Sequence, residues 1–132
     1  MSLRHFLLLH SAIYAFFALA LFFAPTLLWP MYGIEISNGD SYFLSQHNSI
    51  FLGGLALVGF LFLDQVDNPP VAQRLLKALL GANILGMVIT LYASVQGIFS
   101  GFGWSDPAFF ALLAGLSLWQ LQKTKQLNKE KV

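Results

Sequence analysis

FLLLHSAIYAFFALALFFAPTLLW, residues 6–29, carries no Asp, Glu, Lys or Arg from end to end. A helix needs roughly 20 apolar residues to cross the ~30 Å hydrocarbon core of a bilayer, and this run supplies them. It is too long for a strand, and its apolar residues are not confined to the single stripe of a helix with one face in water. Pro25 would remove a backbone hydrogen bond and clash with the preceding turn, so the helix is expected to kink there or end near Ala24. Arg4, His5 and the triplet Ala18-Leu19-Ala20 have the outline of a signal peptide. The apolar run continues through Leu21, Phe22 and Phe23, however, and reads as a retained membrane helix.

Three more apolar segments follow, at about 42–63, 70–99 and 106–122, with a polar tail at 123–132. The expectation is an all-α protein with one membrane domain, residues 1–132: a four-transmembrane-helix bundle made of two sequential helical hairpins. Hydrophobic residues make up 57% of the chain and charged residues 10%. Charges that sparse cannot cover a water-facing surface, which excludes an ordinary soluble domain. The absence of cysteine excludes disulfides, thiolate metal sites and thiol chemistry.

Asn68 before Pro69 reads as an N-cap and first-turn pair, and Asp106 before Pro107 as another. Ser37-Asn38-Gly39-Asp40 marks the first outer turn. Trp29, Tyr32 and Tyr42 bracket that loop as an aromatic belt would, and Trp104 and Trp119 mark the two ends of the short fourth helix.

The basic residues orient the bundle. Arg4 precedes the first helix, Arg74 and Lys77 lie between the second and third, and Lys123, Lys125, Lys129 and Lys131 follow the fourth. The connections 30–41 and 100–106 carry none. By the positive-inside rule both termini are expected in the cytoplasm, in a bacterial inner membrane or a thylakoid-type membrane.

In lipid, small and polar residues turn inward. Spacings of three and four assign packing faces to Ser11, Ala15 and Ala18 in the first helix and to Ser49, Gly53, Ala56 and Gly59 in the second. The same spacing selects Asn83, Gly86, Thr90, Ala93 and Gly97 in the third helix, and Ala108, Ala111 and Gly115 in the fourth. Asn83 is the most deeply placed strong polar residue. It suits a mid-bilayer ligand contact or, preferably, an interhelical hydrogen bond. Tyr42, His47 and Asn48 could join Tyr92 and Gln96 in an outward-facing polar pocket between the second and third helices. His10 and His47 fall near opposite surfaces and cannot clamp one haem. Each reads more simply as hydrogen-bonded or wetted than as a metal or pigment ligand.

No Asp or Glu lies within an apolar run, although proton-coupled transporters of this size depend on one. Small multidrug transporters place a glutamate in the first helix, where this chain has Tyr14 and Ala15. No nucleophile–base pair, HExxH or phosphate loop is present.

Phe23-Ala24-Pro25 followed by Tyr32-Gly33, the pair Gly53-Gly54, the triplet Gly81-Ala82-Asn83, and Gly97 ahead of Trp104 together resemble small bacterial and cyanobacterial four-helix membrane proteins of unknown function. The resemblance covers most of the chain and implies the four-helix fold; it implies no activity and no site residue.

The expected role is an accessory, scaffold or assembly subunit of a larger membrane complex, not an enzyme, with no cofactor, no metal and no nucleic-acid partner. Its partners would be the lipid bilayer and other membrane subunits or further copies of itself. Small size, short loops, the lack of intramembrane charge and thirteen Phe support that role. The alternative is a binder of a quinone, pigment or lipid between the second and third helices. A transporter or channel is disfavoured, for want of a buried acid or a charged pore ring.

Overall fold

A computed structural model describes the backbone of residues 1–130 and the side chains of residues 1–126. Lys131 and the Lys129 side chain, both part of the lysine-rich tail, lie outside the described residues. The protein is all-α, with four long helices and one short one: α1 (Leu3–Phe23), α2 (Pro25–Met31), α3 (Gly39–Leu61), α4 (Pro69–Val95) and α5 (Ser105–Glu130). Single 3₁₀ turns, Leu63–Gln65 and Gly101–Trp104, sit in two of the connections. Among the described residues three helices, α1, α3 and α4, are long and apolar enough to cross a membrane.

Local chemistry sets the boundaries. Pro25 ends α1 at Phe23 and opens α2. The second long helix begins earlier than residue 42, because Asn38 and Ser41 form a reciprocal capping box around Gly39. Asn68 caps α4, with Pro69 in the first turn. That helix stops at Val95 and does not reach residue 99. Gly97 adopts φ +72°, Ile98 N–H donates to Ala93 O at 2.9 Å, and Gly97 N–H donates to Ser94 O at 3.2 Å. This pairing closes a helix through a left-handed glycine. Gly97 therefore terminates a helix and does not pack one. The fourth long helix continues past residue 122 to Glu130. Its last turns are rich in Lys, Gln and Leu, good helix formers, with no Gly or Pro to stop them.

The long helices pair as two hairpins, α1 on α3 and α4 on α5. In the first, backbones approach closely where Gly59 meets Ser11: a Cβ at Gly59 would overlap Ser11 Oγ. In the second, a Cβ at Gly86 would run into the Phe110 ring. Side chains join the hairpins to each other. At the end bearing the N-terminus, Phe6 and Leu7 of α1 pack with Leu75, Leu76 and Leu79 of α4 and Leu121 of α5. Nearer the other end Tyr14, Ala56 and Leu113 form a smaller cluster.

The inner face of α5 differs from the expected one. Ala108, Ala111 and Gly115 are exposed, while Leu113, Ala114, Ser117, Gln120 and Leu121 are buried. Ala and Gly tolerate lipid; a Ser hydroxyl and a Gln amide do not, so the polar residues decide which side turns inward. Tyr32 also departs from the belt expected of it, being only 4% exposed within a cluster of Trp29, Phe99 and Phe102.

Gly59→Ala should lower stability by about 1–3 kcal/mol through overpacking. Ser11→Gly should recover part of the loss, as a non-additive cycle. Unfolding in mixed micelles measures both, and an equal loss in either background would show that the two positions do not meet.

Candidate functional site

The break at Pro25 frees carbonyls in what would otherwise be an apolar slab. Pro25 has no N–H to offer Leu21 O, and an unsatisfied carbonyl in hydrocarbon costs several kcal/mol. Ser45 Oγ of α3 donates to Leu21 O at 2.9 Å, and Gln46 Nε2 donates to Phe22 O at 3.3 Å. Trp29 Nε1, from α2, donates in turn to Ser45 Oγ at 2.8 Å. The break is thus stitched to α3, and α2 is held across the end of the bundle.

Tyr32 ties this end together. Gly33, at φ +78°, closes α2 in the same manner as Gly97 closes α4, with Ile34 N–H on Trp29 O at 3.0 Å. Ser100 N–H donates to Tyr32 O at 2.9 Å, and the Tyr32 hydroxyl donates to Asp106 Oδ1 at 3.0 Å. The two connections at the end away from the N-terminus are therefore joined by backbone and side chain alike. Asp106 does not act as the N-cap of α5, which starts at Ser105; its carboxylate faces Tyr32 instead. Burial pushes the Asp106 carboxyl above its usual range, and the Tyr32 hydrogen bond pulls it back in part. Burial also raises the Tyr32 phenol, helped by the Asp106 charge and hydrogen bond.

A second polar knot lies deeper. Asn83 is fully buried. Its Oδ1 accepts from the Tyr14 hydroxyl at 2.7 Å, and its Nδ2 donates to Leu79 O at 2.8 Å and to His10 Nε2 at 3.0 Å. Ser117 Oγ stands 3.5 Å from the same Nδ2 and donates to Leu113 O at 2.8 Å. For His10 Nε2 to accept, the ring proton must sit on Nδ1, which finds no partner among the described residues. The His10 and Tyr14 rings stack at 4.5 Å. Three helices from both hairpins, α1, α4 and α5, meet at this one amide.

Between the two knots lies a cavity of about 80 Å³, open on one side. Tyr14 reaches it from the deeper knot, and Tyr32 and Asp106 from the outer one. Phe17, Trp29, Phe109 and Phe110 supply aromatic wall, and Leu21, Leu28 and Leu52 complete the lining. The site is thus an apolar, aromatic pocket with polar groups only at its two ends.

The residues singled out from the sequence scatter around this pocket without lining it. Asn83 is buried beneath Tyr14, whereas Tyr42, His47, Asn48, Tyr92 and Gln96 are all exposed. Moreover, α3 and α4 belong to different hairpins, and none of these five exposed residues lines the cavity. Among the proposed packing residues, Ser11, Ala18, Ser49, Ala56, Gly59, Thr90 and Ala93 are buried, and Ala15, Gly53 and Gly86 are half-buried. Gly97, Ala111 and Gly115 are exposed. Sequence reasoning missed Tyr32, Asp106, Ser117 and Gln120. The polar series Ser117, Gln120, Thr124, spaced by three and four, could have revealed the inner face of α5. Nothing in the spacing could have paired Tyr32 with Asp106. Comparison with known protein families, curated proteins and solved structures yields no match.

Asp106 gives a pH signature. Its folded value lies above its unfolded one, so its contribution is full below about pH 3.9 and is lost as pH rises through the raised value. Asp106→Asn should flatten that part of the stability curve. Tyr32→Phe removes the opposing hydrogen bond and should raise the Asp106 midpoint further, as followed by carboxyl NMR. A downward movement would refute the assigned contact.

Proposed function

We propose that this chain spans the membrane four times with both termini on the cytoplasmic side, and that it acts by binding a small hydrophobic molecule and not by catalysis. The pocket between the hairpins is the observation that carries this reading. A concave, mostly apolar site with a few convergent polar groups is the usual form of a small-molecule site. The deeper knot is committed to itself: His10 Nε2 and the Tyr14 hydroxyl are both engaged by Asn83, leaving no base free beside a nucleophile.

Support for a fourth span comes from the ends of α5. Asp106 is bonded to Tyr32 at one end, and Gln120 Nε2 donates to Met1 O at 3.2 Å at the other. The helix therefore runs alongside α1 from one end of the bundle to the other. Lys123 Nζ, 3.5 Å from Met1 O, joins Arg4 at the basic end. That distribution supports the cytoplasmic assignment.

Size narrows the ligand. About 80 Å³ is less than the roughly 150 Å³ of an engineered cavity that admits benzene. A whole pigment or quinone does not fit. A compact head group is accommodated by seating partly in the open side, through which any tail leaves.

A second reading, an accessory subunit of a larger membrane complex, draws on the outward face of α5. Ala108, Ala111 and Gly115 form there an exposed small-residue seam of the kind that lets another helix approach closely.

Native mass spectrometry of protein extracted gently from its own membrane separates the two. The binding reading expects a small species with one discrete adduct, a free small molecule or a single lipid. Leu52→Trp, which fills the pocket, should abolish the adduct while insertion is retained. An adduct indifferent to Leu52→Trp would exclude this pocket, and a heteromeric assembly without adduct would favour the accessory role.

A further inference from the structure

The pocket has one charged group. Asp106 lies in its wall, half-buried, and the side-chain partner it has among the described residues is the neutral Tyr32 hydroxyl. Among the described residues the basic side chains, Arg4, Arg74, Lys77, Lys123 and Lys125, belong to segments at the opposite end. A carboxylate removed from water without a counter-ion is unfavourable unless something supplies the missing charge.

The rest of the lining suits a particular kind of cation. Trp29, Tyr32, Phe109 and Phe110 border the pocket, and aromatic faces attract ammonium groups through the ring quadrupole. Trp29 Nε1 is already engaged by Ser45, and the Tyr32 hydroxyl by Asp106. The walls thus have little to offer a ligand that needs many hydrogen bonds. A metal ion would want several oxygen or nitrogen ligands, and no group of three His, Cys, Asp or Glu is gathered among the described residues. An anion would meet the Asp106 carboxylate directly.

The surroundings point the same way. Glu35, Asp40 and Asp106 belong to the outer connections or the helix turns beside them, which hold no Lys or Arg. Such a one-signed end of the bundle raises the local concentration of cations.

We propose that the head group held in this pocket is a compact alkylammonium, with Asp106 as its counter-ion and the aromatic residues as its walls. This rests on the binding role proposed above and names the chemical class of the ligand. The ammonium could belong to a free small molecule or to a lipid headgroup.

The test is calorimetric titration of the full chain in detergent with tetramethylammonium chloride and, separately, with its neutral relative of similar size, 2,2-dimethylpropan-1-ol. Tetramethylammonium is expected to bind at least tenfold tighter than the alcohol. Asp106→Asn should weaken the cation at least tenfold and leave the alcohol unchanged, whereas Asp106→Glu should retain the cation. Phe109→Leu keeps the charge and removes one aromatic wall; it should weaken the cation alone, so the idea stays testable if an Asp106 variant does not fold. Equal binding of cation and alcohol, indifferent to Asp106, would overturn the ammonium assignment and leave the pocket as a binding site. Binding of neither would overturn both. Repeating the cation titration in nanodiscs assigns the source. A higher apparent Kd in phosphatidylcholine than in digalactosyldiacylglycerol, which is uncharged and carries no ammonium, identifies the lipid headgroup as the occupant, and equal values identify a free ammonium compound.

Discussion

A polar group inside a bilayer has no water to turn to, so each one must find its partner within the chain. That constraint accounts for most of what is specific in this structure. Isolated hydroxyls solve it locally: Thr90 Oγ1 donates to Gly86 O at 2.8 Å, and Ser117 Oγ to Leu113 O at the same distance. The Pro25 break cannot be solved within its own helix, and it is resolved by Ser45 and Gln46 of α3. Asn83 is likewise beyond local repair. Its three strongest hydrogen bonds reach Tyr14, His10 and its own helix, so a single amide fixes α1 against α4.

The pocket is a by-product of satisfying those groups in two places. Each hairpin is tight within itself, with Gly59 under Ser11 and Gly86 under Phe110. Between hairpins, contact is made by side chains, and the kind of side chain changes along the bundle. At the terminus-bearing end, leucines and Phe6 fill the space. Beyond Asn83 the chain must accommodate the redirected α2 and the two connections at that end, and the large rings there pack on one another around a gap that they do not fill. The same proline that demands hydrogen bonds from α3 also swings Leu28, Trp29 and Tyr32 over the top of the site.

Membrane-scale features were legible in the sequence, and the site was not. Apolar runs announced the long helices, and Pro25 and the Asn68-Pro69 pair announced boundaries, because these depend on hydropathy and local backbone chemistry. The α5 face was misread because small residues were given the weight that Ser117 and Gln120 deserved. Gly97 was misread for a related reason: its three-and-four spacing from Ala93 and Thr90 continues the packing stripe, while its left-handed backbone ends the helix. Tyr32 and Asp106 are 74 residues apart. Their meeting depends on where α2 is carried after the break, which no periodicity encodes. The polar residues at the start of α3 drew attention because they are dense, yet His47 and Asn48 face outward, and density along a helix does not mean convergence.

The asymmetry of the bundle bears on whether the site binds or conducts. A solute seated between Tyr14 and Asp106 lies in a pocket that is open on one side. To continue, it would have to part the Asn83 knot and then the packed layer of Phe6, Leu7, Leu76, Leu79 and Leu121, all 5% exposed or less. Breaking the knot leaves several polar groups without partners in hydrocarbon, at a cost of several kcal/mol for each. Among the described residues no second carboxylate lies between Asp106 and the far connection, which holds Asp64 and Asp67. On the proposed binding role, a charge-bearing site at one end, backed by a hydrogen-bonded polar knot and a leucine plug, suits holding a ligand better than conducting it.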